Sequence, residues 1–420
     1  MRILLLSTYF NPDIASTGVL MSQLAHELTQ LGNQVTVITS MPHYDTNRIW
    51  KEYRGKLLQQ EKNGSLTISR VYVYVPGEKG HFTKRILNYA TFNLLSGLTG
   101  LFLGRHDVIL VSSPPLTNGI SADFISRLCG TPFVYNVQDI WPDVVVRAGV
   151  LTNPRAIAFF RRLEAYVYRR AHTLTVLSED FRKNLENKGV PSEKIKVIPN
   201  FCDTDFIRPL QKENPFSKRE GLTDKFVVLF AGNMGHSQGL ETVLEAARLL
   251  EEAPVIQFLI VGNGVAKGAL KEYAKELGLK NTRFLTFQSH ETVPNMYATA
   301  DVGLVPLRRG FTNESVPSKI YSIMSAGRPT IASVDIGSDT WNLVRKAQCG
   351  FGTEPENPQA LADAIRALYR NRHVGTTMGK NGREHVLKYC TYQKAAQQYH
   401  ELFSSIVNTQ LSDKLASNRA

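Results

Sequence analysis

The sequence predicts an α/β protein with two domains, each formed around a doubly wound parallel sheet. Three observations lead to this prediction. The chain has 420 residues, which is more than one hydrophobic core usually supports. Short β-branched runs alternate with helical patterns in both halves, as in right-handed βαβ units. Between the halves, residues 201–224 are polar and Pro-containing without periodicity, and we interpret them as a linker.

The N-terminal domain is predicted over residues 1–200. It begins with the apolar strand Ile3–Ser7. A turn-rich loop then leads to a helix at about Val19–Leu31, which Gly32 ends. The remaining strands predicted for this domain are short runs, mostly apolar or β-branched: Val35–Thr39, Ser69–Val75, Val108–Ser112, Phe133–Val137, Thr173–Leu177 and Ile195–Ile198.

The C-terminal domain is predicted over residues 225–390. Its strands are again short apolar runs: Phe226–Ala231, Gln257–Val261, Arg283–Phe287, Val302–Val305 and Thr330–Ser333. Helices are expected at Pro358–Tyr369, His373–Lys388 and about Gln393–Val407. The last helix belongs to a segment, residues 391–420, that we expect to pack back toward the first domain. We therefore expect two Rossmann-like domains that face a cleft, with ligand-binding loops beyond the carboxyl ends of the strands.

The composition is that of a soluble globular protein with an excess of positive charge. Apolar residues make up 43% of the chain, and the formal net charge is +12. This charge favours an anionic partner such as a phosphorylated substrate or an anionic membrane surface. Because no long Lys/Arg tract and no nucleic-acid-binding motif is present, we expect no nucleic acid partner. The scattered cysteines are typical of reduced thiols, so a cytoplasmic location is expected.

Residues 86–104 contain no charged side chain. A spanning helix needs about twenty predominantly apolar residues, and this run also contains Asn, Ser, Thr and Gly, so a buried or packing helix is favoured. The alternative is a helix that lies in the membrane interface beside a basic patch. Arg161, Arg162, Arg169 and Arg170 could add to such a patch, although solvated helix faces explain them equally well.

Glycine-containing turns follow three predicted strands and precede helices. Glycine lets backbone amides approach a ligand closely, and a helix N-terminus favours anionic groups. No complete GxGxxG or GxxxxGK[ST] motif is present, so dehydrogenases and P-loop NTPases are poorly supported. Each turn taken singly is also explained by packing. The residues that we select from these turns as ligand contacts are Gly18, Gly232, Asn233, Gln238, Gly262 and Asn263.

The strongest indication of chemistry lies in residues 313–329. Pro317 suits a first helical turn, where its missing N–H costs little. The amides of Ser318 and its neighbours would then point at a ligand, and the Lys319 ammonium can neutralise a diphosphate. Glu314 lies in a polar loop, where it can accept hydrogen bonds from sugar hydroxyls. A solvated loop acid and a surface lysine are the alternative, but the position beyond a strand end favours a binding site.

These features resemble the donor site of GT-B glycosyltransferases, in particular the large retaining family four. The resemblance covers nearly the whole chain and rests on the N-terminal glycine loop, the motif Asp139–Pro142, Gly232-Asn233 and the helix end Met324–Pro329. The subgroup that the chain resembles most builds bacterial surface polysaccharides of the colanic-acid and O-antigen type. The resemblance implies transfer of a hexose from a UDP-sugar, of the UDP-glucose or UDP-N-acetylglucosamine type, with retention of configuration by front-face attack.

The chain departs from the family pattern at three positions. The second glutamate of the family motif, which binds the ribose hydroxyls, is Ser322 here. Two cations that bind the diphosphate in many members are Asn233 and Gln238. Lys319 is therefore expected to carry more of the charge.

Asp139 follows the predicted strand Phe133–Val137, where family members often have a histidine that reaches the donor sugar. We predict that Asp139 contacts the donor sugar or the acceptor, although a helix-capping role is nearly as well supported. Glu314, Asp139 and Lys319 are thus the candidates for catalysis. The resemblance places uracil near Asn263 and Phe287. Since the histidines form no recognisable metal-binding constellation, a metal-independent reaction without a cofactor is expected.

The acceptor is expected to be a saccharide, and a basic first domain with a long uncharged segment favours one linked to a polyprenyl lipid. Peripheral contact with the inner face of the cytoplasmic membrane would follow. Two other readings remain. A nucleotide-sugar 2-epimerase shares the two-domain architecture, and the departures at Ser322, Asn233 and Gln238 also allow a non-catalytic nucleotide-sugar-binding subunit.

Overall fold

The computed structural model describes residues 1–44, 46–77, 82–312 and 316–417. Its contacts divide the chain into two compact units. The first is formed by Met1–Asn200 together with the chain from Tyr392 onward, and the second by Phe201–Thr391. Each unit has its own sheet and its own helices.

The sheet of the first unit is parallel except at one edge. Its strands are β1 (Arg2–Leu6), β2 (Gln34–Ser40), β3 (Leu58–Asn63), β4 (Leu66–Val71), β5 (Val108–Ser112), β6 (Phe133–Val137), β7 (Thr173–Val176) and β8 (Ile195–Val197). They lie in the order β3-β4-β2-β1-β5-β6-β7-β8, with only β3 and β4 antiparallel. Strand β1 is central because Ile3, Leu4 and Leu5 are fully buried and pair with both β2 and β5.

The helices of the first unit mostly connect successive strands. They are α1 (Ser16–Gln30), α2 (Phe82–Phe102), α3 (Asn118–Cys129), α4 (Asp143–Arg147), α5 (Pro154–Arg170) and α6 (Glu179–Asn187). Helix α1 buries Leu20, Leu24 and Leu28 on one face, as its 3.6-residue period predicts. Asn153 caps α5 by accepting from two backbone amides, and Pro154 occupies its first turn.

The hairpin of β3 and β4 is the part of this sheet that the sequence did not predict correctly. Strand β3 was missed, and β4 ends at Val71 instead of Val75. The cause is the sequence of β3, Leu-Gln-Gln-Glu-Lys-Asn, which lies at the sheet edge with largely exposed side chains. It therefore lacks the apolar pattern from which buried strands are recognised.

The sheet of the second unit is wholly parallel. Its strands are β9 (Phe226–Ala231), β10 (Ile256–Val261), β11 (Thr282–Leu285), β12 (Val302–Pro306), β13 (Thr330–Ser333) and β14 (Gly350–Thr353). Their order is β11-β10-β9-β12-β13-β14. The helices are α7 (Pro215–Arg219), α8 (Leu240–Arg248), α9 (Lys267–Glu276), α10 (Val293–Thr299), α11 (Lys319–Ser325), α12 (Asp339–Lys346), α13 (Pro358–Arg370) and α14 (Arg372–Tyr389).

Strand β9 shows why this sheet is covered on both faces. Val227 and Leu229 belong to one buried apolar cluster, whereas Val228 and Phe230 belong to another. Successive side chains of a strand point to opposite faces, so the two clusters lie on opposite sides of the sheet. The doubly wound arrangement predicted for this half is confirmed.

Residues 201–224, which we interpreted as a linker, are part of the second unit. Phe216 and Leu222 lie in its core, and Asn214 caps α7. The apolar residues of this stretch are spaced irregularly, because the chain packs as a loop with one short helix. That spacing carries no helix or strand period, which is why the stretch looked like a linker.

The C-terminal helix α15 (Tyr392–Ser417) belongs to the first unit. Asn33, which follows α1, contacts His400 at 3.0 Å. The phenol of Tyr399 accepts a 2.9 Å hydrogen bond from Asn136 at the middle of the sheet. No helix in the described part of the chain combines the length and apolar character needed to cross a bilayer.

Candidate functional site

The loops after β9 and β10 are joined by backbone hydrogen bonds. The amide of Gly232 donates to Val261 at 2.9 Å, and the amide of Met234 donates to Asn263 at 2.8 Å. The amide of Ala266, just before α9, donates back to the Met234 carbonyl at 3.0 Å. The two loops therefore form one connected surface at the carboxyl edge of the sheet, where ligands of such sheets bind.

Glycine is required where these loops touch. At Gly262 φ is +144°, and a Cβ there would lie 1.9 Å from the Gly232 carbonyl oxygen. At Gly264 φ is +157°, and a Cβ would lie 2.4 Å from the Met234 carbonyl oxygen. No side chain fits at such distances, so these glycines are explained by the contact between the two loops.

Lys319, the first residue of α11, extends over this surface. Its ammonium donates a 2.8 Å hydrogen bond to Oε1 of Gln238 and lies 4.7 Å from the centre of the Phe230 ring. A Cβ at Gly232 would be 3.2 Å from Lys319 Cε. Burial lowers the pKa of Lys319 to about 8. Among the described residues no carboxylate pairs with this cation, so its charge remains available for an anionic ligand.

The residues before Lys319 form the start of the helix. Ser318 is exposed and stands at the cap position, and the buried Pro317 precedes it. The Pro317 carbonyl accepts from the Ile320 amide at 3.2 Å. Pro317 thus lies one residue outside the first turn in which we placed it, because the regular helix begins only at Lys319.

The loop after β12 is held by Asp335, which follows β13. Its Oδ2 accepts a 2.8 Å hydrogen bond from the Gly310 amide and a 2.6 Å bond from Thr312 Oγ1. The amide of Arg308 in the same loop donates to Ser237 at 2.9 Å. The chain then enters residues 313–315, so Glu314 lies outside the described residues.

Ser322 lies one turn into α11 and is half-buried. Its side chain forms a hydrogen bond with the phenol of Tyr297, whose pKa burial raises to about 12. At ordinary pH this phenol keeps its proton, so Ser322 already has a partner within the unit. Its contact with a ribose stays a prediction.

The remaining predicted ligand contacts of this unit are at or near the surface. Asn233 and Asn263 are exposed, and Phe287, which follows β11, is 53% exposed. Gln238 is half-buried and is the hydrogen-bond partner of Lys319. All four follow carboxyl ends of adjacent strands, β9, β10 and β11, so the structure brings them to one edge together with Lys319.

Gly18 and Asp139 lie in the first unit. Gly18 is in the first turn of α1, and a Cβ there would lie 3.1 Å from the backbone carbon of Tyr9. Gly18 therefore allows the helix to pack under the loop after β1. Asp139 is half-buried directly beyond β6, and its carbonyl accepts from the Trp141 amide at 3.1 Å. Both are at the carboxyl edge of their own sheet.

Two family models match the chain. Residues 17–200 match the glycosyl transferase 4-like domain, and residues 211–385 match glycosyl transferases group 1. Together the two models span most of the sequence and include every candidate residue named above. The chain is a group 1 glycosyltransferase.

Relatives of the glycosyltransferase agree with this assignment. WcaI of Escherichia coli (strain K12), which is named as a glycosyl transferase of colanic acid biosynthesis, is 27% identical over 387 residues, which cover 89% of this chain and 93% of WcaI. A protein of Pseudomonas aeruginosa named as the glycosyltransferase WbjE is 28% identical over 62% of this chain and 66% of its own length.

Solved structures confirm the GT-B fold of the glycosyltransferase. Sucrose-phosphate synthase from Thermosynechococcus elongatus has a TM-score of 0.77 at 19% identity, covering 97% of this chain and 100% of that one. Anabaena Alr3699/HepE in complex with UDP-glucose has a TM-score of 0.72 at 17% identity, covering 96% and 100%. At these identities the likeness concerns the fold.

Sequence reasoning missed three residues that contact the candidate site residues or the chain beside them. Asp335 holds the loop that leads toward Glu314, Phe230 lies under the Lys319 ammonium, and Tyr297 engages Ser322. Asp335 could have been found, because it is a carboxylate two residues after a predicted strand. Tyr297 and Phe230 are buried aromatic residues, which a sequence cannot distinguish from ordinary core residues.

Proposed function

We propose that this glycosyltransferase moves a hexose from a UDP-sugar, of the UDP-glucose or UDP-N-acetylglucosamine type, to a saccharide acceptor in polysaccharide biosynthesis. The observation that supports the donor is the Lys319 ammonium at the carboxyl edge of the second unit's sheet, where it is hydrogen-bonded to the neutral Gln238 amide. The names of two similar proteins agree, since WcaI is named for colanic acid biosynthesis and Alr3699/HepE was solved with UDP-glucose.

Departure of a nucleoside diphosphate from the anomeric carbon creates negative charge on the diphosphate. Lys319 can neutralise this charge, and exposed backbone around Gly232 and Asn233 can add hydrogen bonds. Burial has lowered the pKa of Lys319 to about 8, because the ammonium has lost part of its solvation by water. An incoming anion replaces this lost solvation and stabilises the charged form. Lys319 therefore stabilises the leaving group.

The sugar-facing roles are proposed for two carboxylates. Glu314, which lies two positions along the chain from Thr312, would accept hydrogen bonds from the donor sugar hydroxyls; Thr312 itself is held by Asp335. Asp139 would contact the donor sugar or the acceptor. We propose retention of configuration through front-face attack, with the departing phosphate taking the acceptor proton and with no metal ion required.

The base and ribose contacts complete the proposed donor site. Asn263 and Phe287, beyond adjacent strands, would lie beside uracil, and the Ser322 hydroxyl would replace the family glutamate at the ribose. Gly262 keeps the loop close enough for backbone contacts. Gly18 is the one donor contact that we propose in the first unit.

The experiment that tests the donor assignment is a binding panel of UDP-, ADP- and GDP-sugars measured by thermal shift and calorimetry. We expect UDP-glucose or UDP-N-acetylglucosamine to bind, and Lys319→Met to weaken UDP binding about tenfold to a hundredfold, the effect of losing a charge-assisted hydrogen bond. Lys271→Met, on the exposed side of α9, is the matched control. Wild-type affinity in Lys319→Met would overturn the proposal, and UDP release without any acceptor would favour a 2-epimerase.

An exposed apolar surface on α2 and α3 supports a lipid-linked acceptor and peripheral membrane contact. Leu94 and Phe102 of α2 are 64% and 86% exposed, and Leu128 of α3 is 62% exposed. The helices pack closely, since a Cβ at Gly100 would lie 2.3 Å from Ile125 Cδ1. Apolar side chains on neighbouring helices of a basic protein suit an anionic bilayer surface.

Sedimentation with liposomes tests this membrane contact. The glycosyltransferase is expected to sediment with vesicles that contain anionic lipid and less with neutral vesicles. Leu94→Ser combined with Phe102→Ser should abolish sedimentation while UDP binding is retained. Equal absence of binding to both vesicle types would exclude the contact.

A further inference from the structure

A cavity of about 330 Å³ lies in the first unit. It is lined by Arg48, Ile49, Arg54, Tyr72, Tyr74 and Val75. One wall comes from the loop after β2, and the other from the chain directly after β4. These strands are parallel neighbours, paired at Ser40 and Val71. The cavity is thus at the carboxyl edge of the sheet, where ligands bind in this architecture.

The wall after β4 is fixed by hydrogen bonds. The Tyr72 amide donates to the Leu57 carbonyl at 2.9 Å. The Tyr74 amide donates to Thr91 Oγ1 at 3.0 Å, and the Tyr74 carbonyl accepts from Asn88 of α2 at 2.7 Å. Because these backbone groups are bonded on either side, the two tyrosines are held in place beside the cavity.

The wall after β2 is held by hydrogen bonds within its own loop. Arg54 Nε donates a 2.8 Å hydrogen bond to the Ile49 carbonyl. The amide of Trp50 donates to the Pro42 carbonyl at 3.0 Å. Arg48 and Arg54 are both exposed, and within the described part of the chain no side-chain hydrogen bond is seen for the Arg48 guanidinium or for the other nitrogens of Arg54.

The cavity wall is connected to the loop that leads to Gly18. Oδ1 of Asp13, in the loop after β1, accepts hydrogen bonds from the amides of His43 and Tyr44, each at 2.9 Å. The rings of Tyr9 and His43 lie 5.5 Å apart. The loops after β1 and β2 therefore form one continuous surface at the carboxyl edge of the sheet.

The arginines at this edge differ in whether they form an ion pair with a carboxylate of the described residues. Arg70 is buried and is neutralised by Glu61, with Nε 2.8 Å from the carboxylate. No carboxylate of the described residues forms an ion pair with Arg48 or Arg54. Arginine binds phosphate and carboxylate through paired hydrogen bonds, and a tyrosine offers an apolar face with a polar tip.

We propose that this cavity binds an anionic group of the saccharide acceptor, with Arg48 and Arg54 on the anion and the rings of Tyr72 and Tyr74 beside the sugar. The inference rests on the proposed function, because it assigns the cavity to the acceptor of that reaction. A volume of about 330 Å³ is at the small end for ligand pockets, so it suits one sugar with its charged group. The charge is a phosphate of a lipid-linked diphosphate or a sugar carboxylate.

Calorimetry with the full chain saturated with UDP tests the proposal, because UDP fills the donor site. Three probes are titrated: a short-chain prenyl-diphosphate-linked N-acetylglucosamine, a glucuronic-acid disaccharide, and neutral cellobiose. At least one anionic probe should bind about tenfold more tightly than cellobiose. Preference for the first probe identifies a lipid diphosphate, and preference for the second identifies a sugar carboxylate.

Variants show whether the cavity is responsible. Arg48→Gln, and Arg48→Gln combined with Arg54→Gln, should remove the advantage of the anionic probe and leave UDP affinity unchanged. Arg155→Gln, at an exposed arginine of α5, is the control. Arg48→Gln alone suffices if the double variant fails to fold.

Two results would overturn the assignment: equal affinity of all three probes, or an anionic preference that survives in Arg48→Gln and the double variant alike. The proposed function fails separately: if UDP never binds the wild-type chain, the donor assignment is refuted, and the same probes titrated without UDP still test the cavity.

Discussion

The Lys319 ammonium donates a 2.8 Å hydrogen bond to the side-chain oxygen of Gln238. A neutral amide orients the cation without neutralising it, whereas a carboxylate would compete with a diphosphate for the same charge. The family pattern places a second cation at position 238, and a cation there would repel Lys319 until the donor arrived. In the proposed donor site, an amide at position 238 leaves Lys319 to neutralise the diphosphate, so the first prediction concerns this residue.

Donor affinity is expected to fall as pH rises through about 8. Burial lowers the pKa of Lys319 to about 8 in the unliganded protein, and a bound diphosphate favours the protonated form and raises this pKa. Binding therefore takes up a proton above pH 8, and UDP affinity should fall by up to about tenfold per pH unit there.

Calorimetry with UDP from pH 6.5 to 9.5 measures this effect. Lys319→Met should bind weakly with little pH dependence over the same range, and Lys271→Met should follow the wild type. An affinity for UDP that is constant in the wild-type protein up to pH 9.5 would contradict the assignment.

Replacement of Glu314 should separate binding from transfer. We predict that Glu314→Ala retains UDP-sugar binding and loses most transfer, about a hundredfold in kcat, because a contact with the sugar matters most while its bond is breaking. Calorimetry and a radiolabelled-sugar transfer assay measure the two effects. Glu272→Ala, at an exposed position of α9, is the control. Unchanged transfer by Glu314→Ala would refute the role of this carboxylate.

Asp335 is predicted to position the loop that leads toward Glu314. Its side chain accepts hydrogen bonds from the Gly310 amide and the Thr312 hydroxyl at the same oxygen, Oδ2. Asp335→Ala removes this acceptor and should lower kcat about tenfold while UDP affinity stays within about twofold. Asp335→Asn keeps one carbonyl oxygen and should restore most of the rate.

The comparison of these two Asp335 variants distinguishes a positioning role from a catalytic one. If the carboxylate charge itself were needed, Asp335→Asn would be as slow as Asp335→Ala. If both variants lost UDP binding and thermal stability together, Asp335 would be a general structural residue instead.

Buried strands could be predicted from the sequence, whereas contacts between loops could not. Strands β6 and β9 have the predicted bounds. A short, continuous apolar run between turn residues fits few structures other than a buried strand of a parallel sheet. Lys319 was selected as a candidate because it lies two residues after Pro317 in a segment beyond a predicted strand. The hydrogen bond between Lys319 and Gln238 depends on how two loops, far apart in sequence, fold against each other, and no local pattern encodes that.

The same reasoning explains the errors. Residues 201–224 pack through irregularly spaced apolar side chains such as Phe216, which leave no period to detect. Strand β3 is a polar edge strand whose partner lies across a tight turn. In both cases tertiary packing decides the structure, and local propensity is a weak guide.

The contact between the loops after β9 and β10 gives the last prediction, which concerns stability. A methyl group at Gly262 would lie 1.9 Å from the Gly232 carbonyl oxygen, and φ there is +144°. Gly262→Ala must therefore push the two loops apart, at a cost of about 2–4 kcal/mol. We expect a lower Tm together with loss of UDP binding, because the displaced loop carries Gly232 beneath Lys319.

The control is Gly268 of α9, where nothing lies within 4 Å of the added carbon. Gly268→Ala should stabilise the protein by about 0.5–1 kcal/mol and bind UDP normally. Thermal unfolding of both variants with and without UDP measures the difference, and a Gly262→Ala protein that matched Gly268→Ala in both respects would show that the two loops do not touch as described.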